Sequence, residues 1–139
     1  MTSYGFEVKV RSKCEGDVID ITADIGKAIA KSGIKDGIVC ASVVGSTASL
    51  TTVEFEPGLV RDMSDASERL FPKGIDYEHH LRWGDGNGHS HVRASFLGPS
   101  VTIPVREGKP VLGTWQQIVL IEFDTRARGR TVAVQVVGD

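Results

Sequence analysis

The sequence predicts an α+β fold: one compact domain over residues 1–139, with β-rich mixed or antiparallel sheets, two main helices and a short third. The order of elements is the first reason. Two strands, a helix, two strands, a helix and a β-rich end do not alternate as a doubly wound parallel sheet does. The second is size: 139 residues can bury a single core without staples, and no repeat, low-complexity tract or linker divides them. The third is periodicity. Period-two alternation opens the chain and fills its last third, while helical spacing is clear in two stretches.

Phe6, Val8 and Val10 alternate with Glu7, Lys9 and Arg11, the pattern of a half-buried strand. Cys14 to Asp17 reads as a turn and Val18 to Ile21 as a second strand, which predicts an opening hairpin. Thr22 is suited to cap a helix whose apolar stripe is Ile25, Ala28 and Ile29, and Gly33 to end it. The β-branched run Ile38 to Val44 predicts a central strand buried on both faces. Gly45-Ser46-Thr47 breaks that run. Ala48 to Phe55 resumes extended character and places Glu54 on the face of Leu50 and Thr52, either partly buried or at the surface where the strand ends.

Glu56-Pro57 opens the second helix, with proline in the first turn where its missing donor costs nothing. Leu59, Met63, Ala66 and Leu70 form its apolar stripe, and Arg61, Asp62, Asp65, Glu68 and Arg69 its polar side. Phe71-Pro72-Lys73-Gly74 stops it. A short helical piece is expected from Asn87 to Leu97, before Gly98-Pro99. Val101, Ile103 and Val105 alternate around Pro104, which favours an edge or strand end. After the turn Glu107 to Pro110, Trp115 to Phe123 and Thr131 to Val137 read as two long strands joined by the polar turn DTRARGR.

A formal net charge of -2 with 40% hydrophobic and 24% charged residues gives no general attraction to nucleic acid or to an anionic membrane. No apolar run approaches the ~20 residues of a transmembrane helix. The alternating N-terminus does not resemble a signal peptide. Cys14 and Cys40 match no metal or redox spacing and read as reduced thiols, so a cytoplasmic location is expected.

All 4 histidines of the chain, His79, His80, His89 and His91, fall in the stretch YEHHLRWGDGNGHSH. His89 and His91 form an H-x-H pair. On a strand both imidazoles face one way and can share a metal; at a helix start they diverge and serve separate roles. His79 precedes a glycine-rich loop that can fold back to add a third nitrogen, and three neutral imidazoles with an open position suffice for a catalytic divalent metal such as Zn or Mg. A solvated loop whose histidines cap helix ends is the plainer alternative. His80, next to His79, points away if the segment is extended. Asp85-Gly86-Asn87-Gly88 is a turn, or a place where backbone N–H groups approach an anion.

Ser46, Thr47 and Ser49 offer hydroxyls at a strand break, either as a plain turn or as a phosphate cradle; no G-K-[ST] follows, so it is not a P-loop. Glu54, if buried, must be paired or shifted in pKa, which makes it a candidate catalytic carboxylate. Asp62 lies on the polar side of its helix. Trp115, at a strand start, suits core or interface.

Four blocks, GSTASLTTVEFEPGLVRD (45–62), YEHH (77–80), GNGHSHVRASFLGPS (86–100) and IPVREGKPVLGTWQQIVLIEFD (103–124), together resemble the YjbQ family, also described as secondary thiamine-phosphate synthase enzymes. The resemblance implies a compact α+β fold, a homotrimer with sites near subunit boundaries, and a divalent-metal or anion site around the matched histidines. By it, His79, His89 and His91 bind metal or anion, Ser46, Thr47 and Ser49 hold phosphate, and His91, Glu54 and Asp62 are the catalytic candidates. The implied reaction joins a hydroxymethylpyrimidine pyrophosphate to a thiazole phosphate. Metal-assisted hydrolysis of a phosphorylated metabolite and non-catalytic ligand binding are the alternatives. Two positions depart from the family pattern: Gly45, where many members carry histidine, and His80, where many carry aspartate. A carboxylate partner for His79 must then come from elsewhere, with Glu54 or Asp62 as candidates.

Overall fold

The computed structural model describes residues 1–139 and contains two antiparallel sheets, one of five strands and one of three, with four helices around them. In the larger sheet the order is β1 (Thr2–Arg11), β8 (Gly129–Gly138), β3 (Gly37–Val44), β5 (Ser100–Arg106) and β6 (Lys109–Pro110). In the smaller it is β2 (Val18–Asp20), β7 (Gln117–Glu122) and β4 (Ala48–Val53). This compact arrangement is of the α+β class.

The expected opening hairpin is absent. β1 pairs along its whole length with β8 and β2 pairs with β7, so the segment between them carries the chain from one sheet to the other. Period-two patterning specifies a strand and its buried face but not its neighbour, and here long-range partners won. Helix α1 (Thr22–Ser32) is capped at its C-terminus by Gly33 in the left-handed region, φ 72°, as its position suggested. Its stripe of Ile25, Ala28 and Ile29 is buried between the sheets. Thr22 is not the cap but the first helical residue; its hydroxyl accepts the Ile118 N–H and so ties α1 to β7.

The main core joins the inner faces of the two sheets: Val39, Ala41 and Val43 of β3, Val132, Val134 and Val136 of β8, and Leu50, Ile118 and Leu120 of the smaller sheet. The strand buried on both faces is β7, not β3. Ile118 and Leu120 face the larger sheet, while Val119 and Ile121 face a second cluster with Phe123 and Ala94. β3 is buried on one side alone: Ile38 is 47% and Val44 63% exposed, because nothing in this chain covers the outer face of the larger sheet. A continuous β-branched run therefore signalled a central strand correctly and its second face wrongly.

Helix α2 (Pro57–Leu70) starts where expected, with Glu56 as N-cap accepting the Gly58 and Leu59 N–H groups and proline in the first turn. Yet none of its residues is fully buried. Its stripe borders an open apolar groove of about 280 Å³ with Met63, Leu70, Phe71, Phe96 and Leu97. Two further helices follow. The unanticipated α3 (Glu78–Trp83) holds His79 and His80, and α4 (Gly88–Leu97), N-capped by Asn87, packs on the second face of the smaller sheet. No helix is long and apolar enough to cross a membrane.

Candidate functional site

The histidine stretch folds as two short helices meeting at a glycine. A Cβ at position 88 would lie well inside van der Waals contact of the Tyr77 Cβ and 3.1 Å from His80 Cε1, so only glycine permits α4 to start this close to α3. The Gly88 N–H donates to His80 Nδ1 at 3.3 Å, which fixes that ring and leaves its Nε2 uncommitted.

Because His89 and His91 sit on a helix, the two rings leave it about 200° apart rather than side by side. The structure thus separates the three predicted ligands. His91 faces His79, their ring centroids 4.3 Å apart. His89 turns inward instead: it is 0% exposed and its Nε2 meets Glu15 Oε1 at 2.5 Å. Glu15 also accepts from Lys73 Nζ at 2.6 Å. Burial pushes the Glu15 carboxyl up, but the Lys73 and His89 partners outweigh it and hold the group below the usual carboxylate range. His89 is therefore a buried link between the β1–β2 segment and α4, not a co-ligand of His79 and His91.

The third member of the cluster is His80, which the extended reading had turned away. On α3 it stays on the same side as its neighbour, and His79, His80 and Asp85 each present a ligand atom within 4.8 Å of the others. His79 Nδ1 is enclosed, makes no hydrogen bond and lies 3.4 Å from Asp85 Oδ1. Desolvation and the adjacent His79 lower the pKa of His91 against the opposing pull of Asp85 and Asp124, which favours its neutral imidazole. Two imidazoles, a carboxylate and a neutral third imidazole alongside form a donor set that suits a borderline divalent cation.

A hydrogen-bonded network runs from this cluster into the protein. Asn87 N–H donates to Asp85 Oδ1 at 3.2 Å, and the Asn87 side-chain amide donates to Asp124 Oδ2 at 3.2 Å. The Thr47 hydroxyl donates to the same Asp124 oxygen at 3.0 Å and accepts from Arg130 Nη2 at 2.7 Å. Arg130 also grips the fully buried Glu122 through Nε, at 2.9 Å, and through Nη2. Ser12 Oγ donates to Glu122 Oε2 at 2.9 Å, and the Asp124 N–H to its other oxygen at 3.0 Å. Burial pushes Asp124 up, but donors from Asn87, Arg126 N–H, Thr47 and Arg128 prevail and bring its pKa to about 2.

The hydroxyl cradle divides in the same way. Thr47 and Ser49 are buried; Thr47 is committed to Asp124 and Arg130, and Ser49 donates to the Ala94 carbonyl at 3.0 Å, pinning α4 on β4. Only Ser46 of the three is exposed. Glu54 is exposed rather than partly buried, because β4 ends one residue before it. Seven positions of extended chain separate it from Thr47, roughly 20 Å, so it lies well away from the Thr47–Asp124 pair. Asp62 projects from the exposed side of α2, and Trp115 is 72% exposed ahead of β7. Residues that the sequence reading missed are Glu15, Asn87, Glu122, Asp124, Arg128 and Arg130. Three of them lie in the turn DTRARGR, whose alternating arginines beside EFD were the available signal.

The sequence profile of the family described as "UPF0047 protein YjbQ-like" matches residues 6–139. The chain belongs to the YjbQ/UPF0047 family. A UPF0047 protein of Methanocaldococcus jannaschii is 36% identical over 135 residues, 96% of this chain and 94% of that protein. The UPF0047 protein YugU of Bacillus subtilis is 30% identical over 132 residues, covering 94% and 97%. A YbjQ-like protein of unknown function from Sulfolobus solfataricus superposes with a TM-score of 0.92 at 36% identity, over 99% of both chains. A hypothetical protein from Aeropyrum pernix K1 gives 0.85 at 32% over 100% of both. The YjbQ fold is thus shared across the whole length, and the names of these relatives describe the family rather than a reaction.

Proposed function

We propose that this YjbQ/UPF0047 chain is an enzyme acting on a small phosphorylated molecule at a divalent-cation site formed by His79, His80 and Asp85, with His91 beside it. The observation that carries the reading is the enclosed, unpartnered Nδ1 of His79 within a cluster whose ligand atoms lie within 4.8 Å of one another. Zinc or another borderline cation suits two imidazoles and a carboxylate better than magnesium, which prefers oxygen donors. Such a cation, when bound, supplies Lewis acidity and offsets charge developing on a departing phosphate or pyrophosphate. The chain's own backbone positions the groups that would hold it: the Asn87 N–H fixes Asp85, and the Gly88 N–H fixes the His80 ring.

The resemblance to secondary thiamine-phosphate synthase enzymes names the finer reaction. The thiazole ring nitrogen attacks the pyrimidine methylene carbon, the carbon–oxygen bond breaks, and pyrophosphate leaves with the electron pair. A second reading, hydrolysis of a phosphorylated metabolite, is favoured by the neutral His91, since that imidazole can accept the proton of an attacking water. We further propose a cytoplasmic homotrimer, supported by the uncovered outer face of the larger sheet with Ile38 and Val44, and by two unpaired cysteines.

One experiment separates the readings. The purified protein, loaded in turn with zinc, manganese and magnesium, is incubated with hydroxymethylpyrimidine pyrophosphate and thiazole phosphate. Thiamine phosphate formation, lost in His79→Ala and Asp85→Asn, supports the transferase. Phosphate release without coupled product, lost in the same variants, supports the hydrolase. Neither product with any of the three cations overturns both.

A further inference from the structure

Helix α2 carries an apolar face that the fold leaves unfilled. Met63, Ala66, Ser67 and Leu70 fall on one side of the helix, and all four line the groove of about 280 Å³ between α2 and α4. The two small side chains at the centre of that wall, Ala66 and Ser67, leave the space open. The opposite wall is Phe96 and Leu97 of α4, and Phe71 stands against Phe96 with ring centroids 4.7 Å apart. The rim is apolar as well: Leu70 is 70% and Phe96 75% exposed. A dry cavity of roughly 150 Å³ takes one benzene ring, so this groove has room for roughly eight to ten carbon atoms.

One charged group lines this groove. Arg93 directs Nε and Nη2 to the Phe71 carbonyl, at 3.0 and 2.8 Å, and Nη2 also to Glu68 Oε2 at 2.7 Å. Of the five guanidinium N–H groups the two on Nη1 make no hydrogen bond, and Nη1 is not enclosed by protein. The other polar side chain of the lining, Ser67, donates to the Met63 carbonyl at 2.8 Å and is occupied. Glu68, the acid paired with Arg93, is 56% exposed and screened by water, and it also accepts the Lys73 N–H. The groove thus offers a long apolar surface and a single unused cationic edge. His91 and Arg93, two residues apart on α4, leave that helix about 200° apart, so the groove and the histidine cluster lie on opposite sides of it.

We propose that the α2–α4 groove is a second binding site, for a free carboxylate with an apolar tail of medium-chain length. The tail lies between the two helices and the carboxylate meets Arg93 Nη1. A tail there removes Leu70, Phe96 and its own carbons from water, which is the driving force for binding. A chain fits better than a fused ring system, because past Met63, Ser67 and Arg93 the groove narrows to a slot of about 20 Å³ leading to Val18 and Val60. A carboxylate fits better than a phosphate. One guanidinium edge satisfies two carboxylate oxygens side by side, whereas the further oxygens and second charge of a phosphate would be left against apolar walls. The site requires no cation at the histidines.

The chain has 2 methionines, Met63 in the groove and Met1, 96% exposed at the N-terminus, so methyl-labelled methionine gives one reporter and one internal control. The full chain, kept in chelator, is titrated by NMR with hexanoate, octanoate, octan-1-ol and octylammonium. Octanoate is expected to shift the Met63 methyl saturably and to leave Met1 in place. Affinity should rise about fourfold per methylene from hexanoate to octanoate. Octanoate should bind about tenfold or more tighter than octan-1-ol, the worth of a charge-assisted hydrogen bond, with octylammonium the weakest. Arg93→Gln, which can still donate to the Phe71 carbonyl, should bring octanoate down to the affinity of octan-1-ol. Ala66→Phe, which fills the groove from α2, should abolish the Met63 response to every probe while the protein keeps its cooperative thermal unfolding. No Met63 shift with octanoate overturns the site, and so does binding that survives Ala66→Phe. Equal affinity for octanoate and octan-1-ol, or no effect of Arg93→Gln, overturns the carboxylate. A Met63 resonance that moves with protein concentration alone makes the groove a contact between copies, and a response to neutral phosphatidylcholine vesicles but not to octanoate makes it a lipid contact; either overturns the proposal.

Discussion

Replacing Asp124 with asparagine tests whether the buried network is held together by a charge. In the folded protein the Asp124 carboxyl is 1% exposed and its pKa falls from 3.8 to about 2. A shift of that size corresponds to roughly 2 kcal/mol favouring the ionised form in the folded state. The folded-state pKa lies below the unfolded one, so the unfolded chain takes up the proton more readily as acid is added. The contribution is complete above about pH 5 and fades as pH falls toward about 2. The Asp124→Asn side chain has no such titration. Urea unfolding at one fixed protein concentration, at pH 7, 5, 4 and 3, should show the variant about 2 kcal/mol less stable at pH 7. The difference should narrow steadily below pH 5. Glu15 and Glu56 also titrate low in the fold, but they do so in both proteins and cancel in the comparison. Parallel stability curves for the two proteins from pH 7 to pH 3 would falsify the charge-based account of the network.

Two further perturbations separate structure from ligand binding around the histidines. His89→Ala removes a fully buried ring and leaves Glu15 without its inner partner, so thermal or urea unfolding should show a loss of about 3 kcal/mol. Zinc affinity measured on the folded fraction should stay within about threefold of wild type, and a far larger drop would return His89 to the ligand set. Gly88→Ala drives a methyl group into the Tyr77 Cβ and must push α3 away from α4. Zinc binding should weaken by about tenfold or more; wild-type affinity in a folded Gly88→Ala protein would show that the α3–α4 contact does not set the cluster.

The parts of the fold that are written locally were readable in the sequence. α1 and its glycine stop, α2 with Glu56-Pro57, the start of α4 at Asn87 and the long terminal strands all follow from capping chemistry and periodicity. What was not readable depended on distant partners. β1 and β2 look like a hairpin because they are adjacent, and only the pairing with β8 and β7 separates them. β3 looks two-sided because its outward residues Ile38, Cys40 and Val44 are as apolar as its inward ones. The site follows the same division. The histidine stretch announces itself by composition, yet the roles of His80 and His89 turn on whether 77–91 is helical or extended. Glu122, Asp124, Arg128 and Arg130 look like a strand end and a charged turn until the fold brings them together, all but Arg128 buried.

β7 explains why those four residues belong to the site at all. It is the strand buried on both faces, with Ile118 and Leu120 toward the larger sheet and Val119 and Ile121 toward α4. A strand in that position has no exposed face on which to spread polar side chains. Its charged end, Glu122 to Asp124, can exist in the interior only if every oxygen finds a donor, because an unpaired buried carboxylate costs several kcal/mol. The donors come from all the segments converging there: Ser12 beyond β1, Thr47 between β3 and β4, Asn87 at the start of α4, and Arg128 and Arg130 at the start of β8. Satisfying β7's end therefore fixes the backbone that presents Gly45, Asp85 and the first turn of α4. The placement of the candidate site is tied to the polar requirement of the most buried strand. A variant that loosens this network should lose placement of the histidine cluster before it loses the sheets.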